Sequence, residues 1–201
     1  GAGKSFVADS MALPGQLGYK EINSDIEFTR YMKSAGLTDE KGTVILDPNR
    51  KFERGVIRTV AKRHTQAKQS GALIGRLGLV IDGTGANSAK LLKQKKTLES
   101  RGYECLMVYV NLSLEGSIEA DRQRGLDGDR TIGPELVTTK WKELQSGLDP
   151  FRKSFGKLFF EIDNSVREKT PMLVRKVLNF IVKWSKTMPK NKAAKKWMDA
   201  N

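Results

Sequence analysis

Apolar positions along the chain fall into short continuous runs separated by longer stretches of helical spacing. Leu77-Gly78-Leu79-Val80-Ile81 is almost continuously apolar, and residues 104–111 and 158–162 repeat that pattern. Runs of this length, bounded by turn residues, suit strands covered on both faces of a parallel sheet. Residues 18–23 read as a further short strand, with Ser24 and Asp25 at its carboxyl end. Thr43-Val44-Ile45-Leu46 is another candidate, cut short by Asp47-Pro48-Asn49. Between them the spacing predicts helices over 4–11, 26–35, 52–69, 88–100, 113–124, 134–145 and 171–186.

Start and stop signals bracket these helices. Pro14 and Gly15 close the first, Gly36 the second and Gly71 the third. Asn87 or Ser88 caps the fourth and Gly102 stops it, Ser113 caps the fifth, and Pro134 and Pro171 open the last two. Leu173, Val177, Leu178, Ile181 and Trp184 line one face of the final helix. Pro189 ends it, and the remainder reads as loosely held. Strand and helix in alternation predict an α/β fold, a three-layer α/β/α sandwich with a mainly parallel sheet.

The length, 201 residues, suits one domain with a substantial core. No apolar run approaches the roughly 18 residues of a membrane span, and no signal peptide shows, so no membrane partner is expected. The single cysteine, Cys105, sits in an apolar run and reads as a core residue of a strand. A lone thiol points to a reducing, cytoplasmic setting. Net charge is +13, from 36 Lys+Arg against 23 Asp+Glu. That excess favours a polyanionic partner: nucleic acid, a nucleotide or an anionic surface. Much of it lies late, in Lys183, Lys186, Lys190, Lys192, Lys195 and Lys196, where a solvated tail would give the same count.

Candidate chemistry begins at Gly1-Ala2-Gly3-Lys4-Ser5, the second half of a phosphate-binding loop, G-x-x-x-x-G-K-[ST]. Glycines let backbone N–H groups close on phosphate oxygens, lysine brings positive charge to the β- and γ-phosphates, and the serine hydroxyl can ligate Mg²⁺. The alternative is a glycine-rich loop without a ligand. The motif's first glycine and the strand feeding the loop would lie ahead of Gly1. The expected organisation is therefore a P-loop kinase domain over 1–187 lacking its first strand, then a basic tail over 188–201.

Downstream order supports the loop. Asp25 can take the proton of an attacking hydroxyl or hold Mg²⁺ through water, or serve as a helix N-cap before Ile26. Asp82 ends the most apolar strand, where a carboxylate suits the Mg²⁺ shell; Asp82 and Thr84 also suit substrate contact, and Asp82-Gly83 suits a turn. Arg122, Arg124 and Arg130 flank a glycine-containing turn over 125–129, as arginines of a closing lid or of a solvated helix end. His64, the only histidine, has no ligand cluster around it and reads as a surface or packing residue. Trp141 and Trp184 read as packing residues.

Taken together, Gly1-Ala2-Gly3-Lys4-Ser5, Ile22-Asn23-Ser24-Asp25, Val80-Ile81-Asp82-Gly83-Thr84 and the Arg122/Arg124…Arg130 segment resemble the zeta-toxin and polynucleotide-kinase group of P-loop kinases, its phage-encoded members especially. The resemblance implies a P-loop NTPase (nucleoside-kinase-like) fold, ATP and Mg²⁺, and γ-phosphoryl transfer to a hydroxyl. It implies that Gly1, Ala2, Gly3, Lys4 and Ser5 hold ATP, with Lys4 also catalytic and Ser5 and Asp82 at the metal. Asp25 would be the base, and Arg122, Arg124 and Arg130 would neutralise the phosphates. Acceptors in the group are a nucleotide sugar or a nucleic-acid 5′-hydroxyl. Its polynucleotide kinases carry an arginine three positions after the base; Phe28 stands there in this chain, and Arg30 is out of register. For a phage-encoded chain the setting is the host cytoplasm. The competing expectation is a non-catalytic basic P-loop protein that binds nucleic acid or a larger assembly; a small-nucleotide kinase is the third.

Overall fold

A computed structural model of the protein describes residues 3–37, 48–126 and 132–200. Gly1, Ala2, the candidate strand at Thr43 to Leu46, and Arg130 lie outside the described residues. In chain order the elements are α1 (Lys4–Met11), α2 (Leu13–Leu17), β1 (Lys20–Ile22), α3 (Ser24–Ser34), α4 (Lys51–Ile74), β2 (Leu79–Ile81) and α5 (Ser88–Ser100). There follow β3 (Met107–Asn111), α6 (Leu114–Leu126), α7 (Pro134–Ser146), α8 (Leu148–Phe155), β4 (Phe159–Asp163), α9 (Thr170–Trp184) and α10 (Lys192–Asp199). The fold is mixed α/β and rich in helix. Its strands hydrogen-bond as two small parallel sheets, β1 with β2 and β3 with β4. No described helix is long and apolar enough to cross a membrane.

The chain divides into two compact units. The first comprises Gly1–Met11, Gly85–Asp121 and Ile132–Asn201; the second comprises Ala12–Thr84 and Arg122–Thr131. In the first, β3 and β4 run in register from Met107 beside Phe159 to Asn111 beside Asp163. Ile162 and Phe151 are fully buried, and Val174, Val177 and Ile181 of α9 are nearly so. The buried stripe of α9 runs 170-174-177-181, which adds Thr170 and Val174 to the expected face, while Leu173, Leu178 and Trp184 are half-buried flanks. Phe160 meets Phe180 with ring centroids 4.8 Å apart.

The second unit is built on a helix pair. Phe28, Met32 and Leu37 pack with Ala61 of α4, and Met32 and Ala61 are fully buried. The sheet beside them is only three residues long, Lys20 to Ile22 against Leu79 to Ile81. Every β2 residue is half-buried, so this strand is less enclosed than its apolar run implies.

Helix ends show why some boundaries were legible. After α3 and α5 the chain turns through Gly36 (φ 66°) and Gly102 (φ 95°), and Leu37 and Tyr103 donate back to Met32 and Leu98 carbonyls. These are Schellman closures with glycine in the left-handed position. The same closure ends α4, but its left-handed residue is Arg76 (φ 51°), with Leu77 N–H on the Ala72 carbonyl. Gly71, expected as the stop, lies inside the helix, where buried Ala72 continues the packed face. Pro14 and Gly15 likewise fall within short α2, and α6 runs on through Gly125 to Leu126. α8 has no counterpart among the expected helices.

Cys105 precedes β3 and is half-buried, with its thiol pushed up to about 11 by burial first and by Glu99 next. The C-terminal residues expected to be loosely held form α10. The Asn191 side chain caps it, accepting from Ala193 N–H (2.8 Å) and Ala194 N–H (3.3 Å). Its amide donates to the Glu99 and Tyr103 carbonyls (2.8 and 3.2 Å), tying the cap to the end of α5.

Candidate functional site

The first unit carries the candidate phosphate loop, of which Gly3 and Lys4 are described. Gly3 adopts a left-handed conformation (φ 77°), its carbonyl accepts Val7 N–H (3.1 Å), and α1 starts at Lys4. Gly3 is thus the turn at which the chain enters α1, whose first N–H groups have no intrahelical acceptor, as at an anion-binding helix N-terminus. A Cβ on Gly3 would collide with Nδ2 of Asn164. The backbone at Gly3 is therefore closed to any side chain both by its dihedral and by its neighbour. Lys4 is half-buried.

Asn164 follows the last residue of β4, and its N–H extends the ladder to the Asn111 carbonyl (2.9 Å). Its side-chain oxygen accepts the Thr170 hydroxyl at 2.7 Å, and Thr170 is 1% exposed. That bond fixes the amide, leaving Nδ2 turned to Gly3. Beside it the Asp163 carboxylate accepts Ser165 N–H (2.9 Å), which holds it below the usual carboxylate range. At the end of β3, Asn111 donates to Glu161 (3.0 Å) and accepts from Gln145 (3.2 Å) and Leu112 N–H (3.0 Å). Trp141 donates its indole N–H to the Leu112 carbonyl (2.9 Å), a structural bond that agrees with a packing role. Polar groups therefore gather at the carboxyl ends of β3 and β4, where open α/β sheets bind ligands.

The second unit carries the candidate carboxylates. Asp82 N–H donates to the Ile22 carbonyl (3.1 Å), extending the parallel ladder by one residue beyond β2. Asn23 links the two strand ends: its amide donates to Asp82 Oδ2 (2.9 Å) and its oxygen accepts Asp25 N–H (2.9 Å). Asn23, not Asp25, is the N-cap of α3; Asp25 lies in the first helical turn, where a carboxylate also suits the helix dipole. Asp25 is exposed, and its Oδ1 pairs with Arg58 of α4 at 2.6 Å. The Arg58 guanidinium lies over the ring of Phe28, 3.8 Å from its centroid. An arginine thus reaches the candidate base from a different helix than the one carrying it. Thr84 is exposed, and Arg122 and Arg124 are exposed on the last turns of α6.

No family model and no curated protein matches the chain. The site rests on geometry alone.

Among the described residues no group of three or more His, Cys, Asp or Glu side chains is placed to hold a metal by itself. His64 packs between α3 and α4, its Nδ1 2.9 Å from the buried Glu27 carboxylate, which Arg30 also reaches at 2.8 Å. This is a paired buried carboxylate within a helix interface, in keeping with a packing role for the histidine. Asn23, Arg58 and Asn164 went unnoticed in the sequence. Asn23 could have been found, because it directly precedes a helical run and caps it; Arg58 and Asn164 act across long sequence separations and leave no local signature.

Proposed function

We propose that the protein is an ATP-dependent kinase on a P-loop, nucleoside-kinase-like fold, transferring the γ-phosphoryl group to a hydroxyl of a nucleotide sugar, nucleotide or nucleic-acid 5′ end. The observation that carries this reading is Gly3: left-handed, closed to a Cβ by Asn164, and leading directly into α1 at Lys4. A left-handed glycine leading directly into a helix N-terminus is a backbone form suited to a phosphate group. The setting is the cytoplasm, the host's for a phage-encoded chain.

In this reading Lys4 and the N–H groups opening α1 hold the β- and γ-phosphates, with Gly1 and Ala2 completing the loop. Asp25 takes the proton of the acceptor hydroxyl through Oδ2, since Oδ1 is occupied by Arg58. The acceptor oxygen bonds to the γ-phosphorus as the bond from that phosphorus to the bridging oxygen breaks, and ADP departs. Arg122, Arg124 and Arg130 balance the charge that spreads over the transferred group. Asp82, oriented by Asn23, has the single-carboxylate chemistry that Mg²⁺ accepts alongside phosphates and water, and with Thr84 it would contact the acceptor; Ser5 carries a hydroxyl of metal-ligating type. A magnesium ion, when bound, supplies neutralisation of the phosphate charge.

The test is transfer from γ-labelled ATP to a nucleotide sugar, a nucleoside and a 5′-hydroxyl oligonucleotide, using the full-length protein and its Lys4→Ala variant. Transfer should fall by roughly 10²–10³-fold in the variant, as for loss of one transition-state donor. Equal transfer by both proteins contradicts the reading.

A further inference from the structure

A cluster of exposed lysines lies in the first unit, apart from the residues of the kinase reading. α10 is short and lysine-rich, yet it is anchored rather than trailing. Its Ala194 is buried, and a Cβ on Gly102 would lie 3.2–3.3 Å from Ala194 backbone atoms, so the helix rests directly on the turn after α5. Glu104 accepts N–H groups from Lys190 and Asn191, and Asn191 binds the last carbonyls around the end of α5.

This anchoring holds cations where they cost stability. Lys192 opens α10 and Lys195 follows within its first turn, against the helix dipole, which favours acids there; the first turn contains none. Lys192, Lys195 and Lys196 recur at i, i+3 and i+4 and are exposed; Lys93 and Lys96 of α5 are exposed at i, i+3. Among the described residues none of these five forms an ion pair. Of the nearby acids, Glu99 is engaged by Lys95 at 2.6 Å and Glu104 by backbone N–H groups, while Asp199 closes α10. Trp197, 43% exposed, adds an aromatic surface on the same helix.

We infer that α10 and the lysines of α5 form a docking platform for the phosphate backbone of nucleic acid, independent of sequence. Several fixed lysines spaced along two joined helices match a polymer of phosphates. A membrane surface fits less well. An interfacial helix needs an apolar stripe to bury, and on α10 the exposed apolar side chains besides alanine are Trp197 and Met198 at its end.

The experiment measures anisotropy of a fluorescein-labelled oligothymidylate with the full-length protein, between roughly 50 and 200 mM salt, where counterion release dominates. Replacing Lys192, Lys195 and Lys196 together by alanine should lower the salt slope by about 2, at roughly 0.7 per lost single-strand contact, and weaken binding at low salt on the order of 100-fold. Alanine favours helix, so circular dichroism should show α10 retained. A control variant with Lys33, Lys51 and Lys62, exposed lysines of the second unit, replaced by alanine should bind as the parent does. The platform is refuted if the α10 variant keeps the parent slope, if the control loses as much, or if the protein binds phosphatidylserine vesicles but not the oligonucleotide.

Discussion

The two parallel strand pairs end in different ways. At the carboxyl end of β1 and β2 stand exposed or half-buried acids, Asp25 and Asp82, organised by the half-buried Asn23. At the carboxyl end of β3 and β4 stands an amide, Asn164, locked from behind by the buried Thr170 hydroxyl and facing the glycine that opens α1. The first end presents acids held by Asn23 and Arg58, and the second presents an amide fixed from behind, beside the Asp163 carboxylate. In the proposed reading, the first end would serve the acceptor hydroxyl and the second the phosphates.

The sharpest way to break this contrast is at Asp25. Asp25→Asn should lower turnover by roughly 10²–10⁴-fold, the range for loss of a general base, while the urea midpoint stays near the parent's because the side chain is exposed. A variant that loses stability and not turnover would assign Asp25 to folding. The reverse pattern is expected at Thr170. Thr170→Val removes the hydroxyl that satisfies Asn164 Oδ1 in a buried setting and should cost about 1–3 kcal/mol, read from urea denaturation.

How these ends appear in the sequence follows from their chemistry. The acids were legible because a charged residue closing an apolar run is visible in the run itself; Asp82 after Val80-Ile81 is the example. Asn164 was not, because its partners Thr170 and Gly3 lie six and many residues away, and only the fold of the first unit joins them. The helix caps at Asn87, Ser113 and Pro134 stand as expected, since capping is local chemistry. The end of α4 was misplaced because an arginine, not a glycine, occupies the left-handed position. The basic C-terminal residues count the same whether trailing or docked; the Asn191 and Glu104 bonds that decide the matter span more than eighty positions.

Smaller effects sharpen the picture of the acidic end. Asn23→Ala removes the cap of α3 and the bond to Asp82 together, and should cost about 1–2 kcal/mol by urea denaturation. Asn23→Asp should retain the cap but place a second carboxylate beside Asp82. The smallest change is expected for Arg58→Ala, under about 1 kcal/mol, because its partner Asp25 is exposed and screened by solvent. A loss well above that would locate the contribution of Arg58 in its stacking on Phe28.

The central claim is that the turn at Gly3 is a nucleotide-phosphate site, and calorimetric titration of ATP into the full-length protein tests it most directly. The parent should bind ATP, and Gly3→Val, whose side chain meets Asn164 in a backbone conformation that disfavours any Cβ, should give no binding heat while keeping its helical spectrum. Equal affinity in the two proteins, or no binding by the parent, would contradict it.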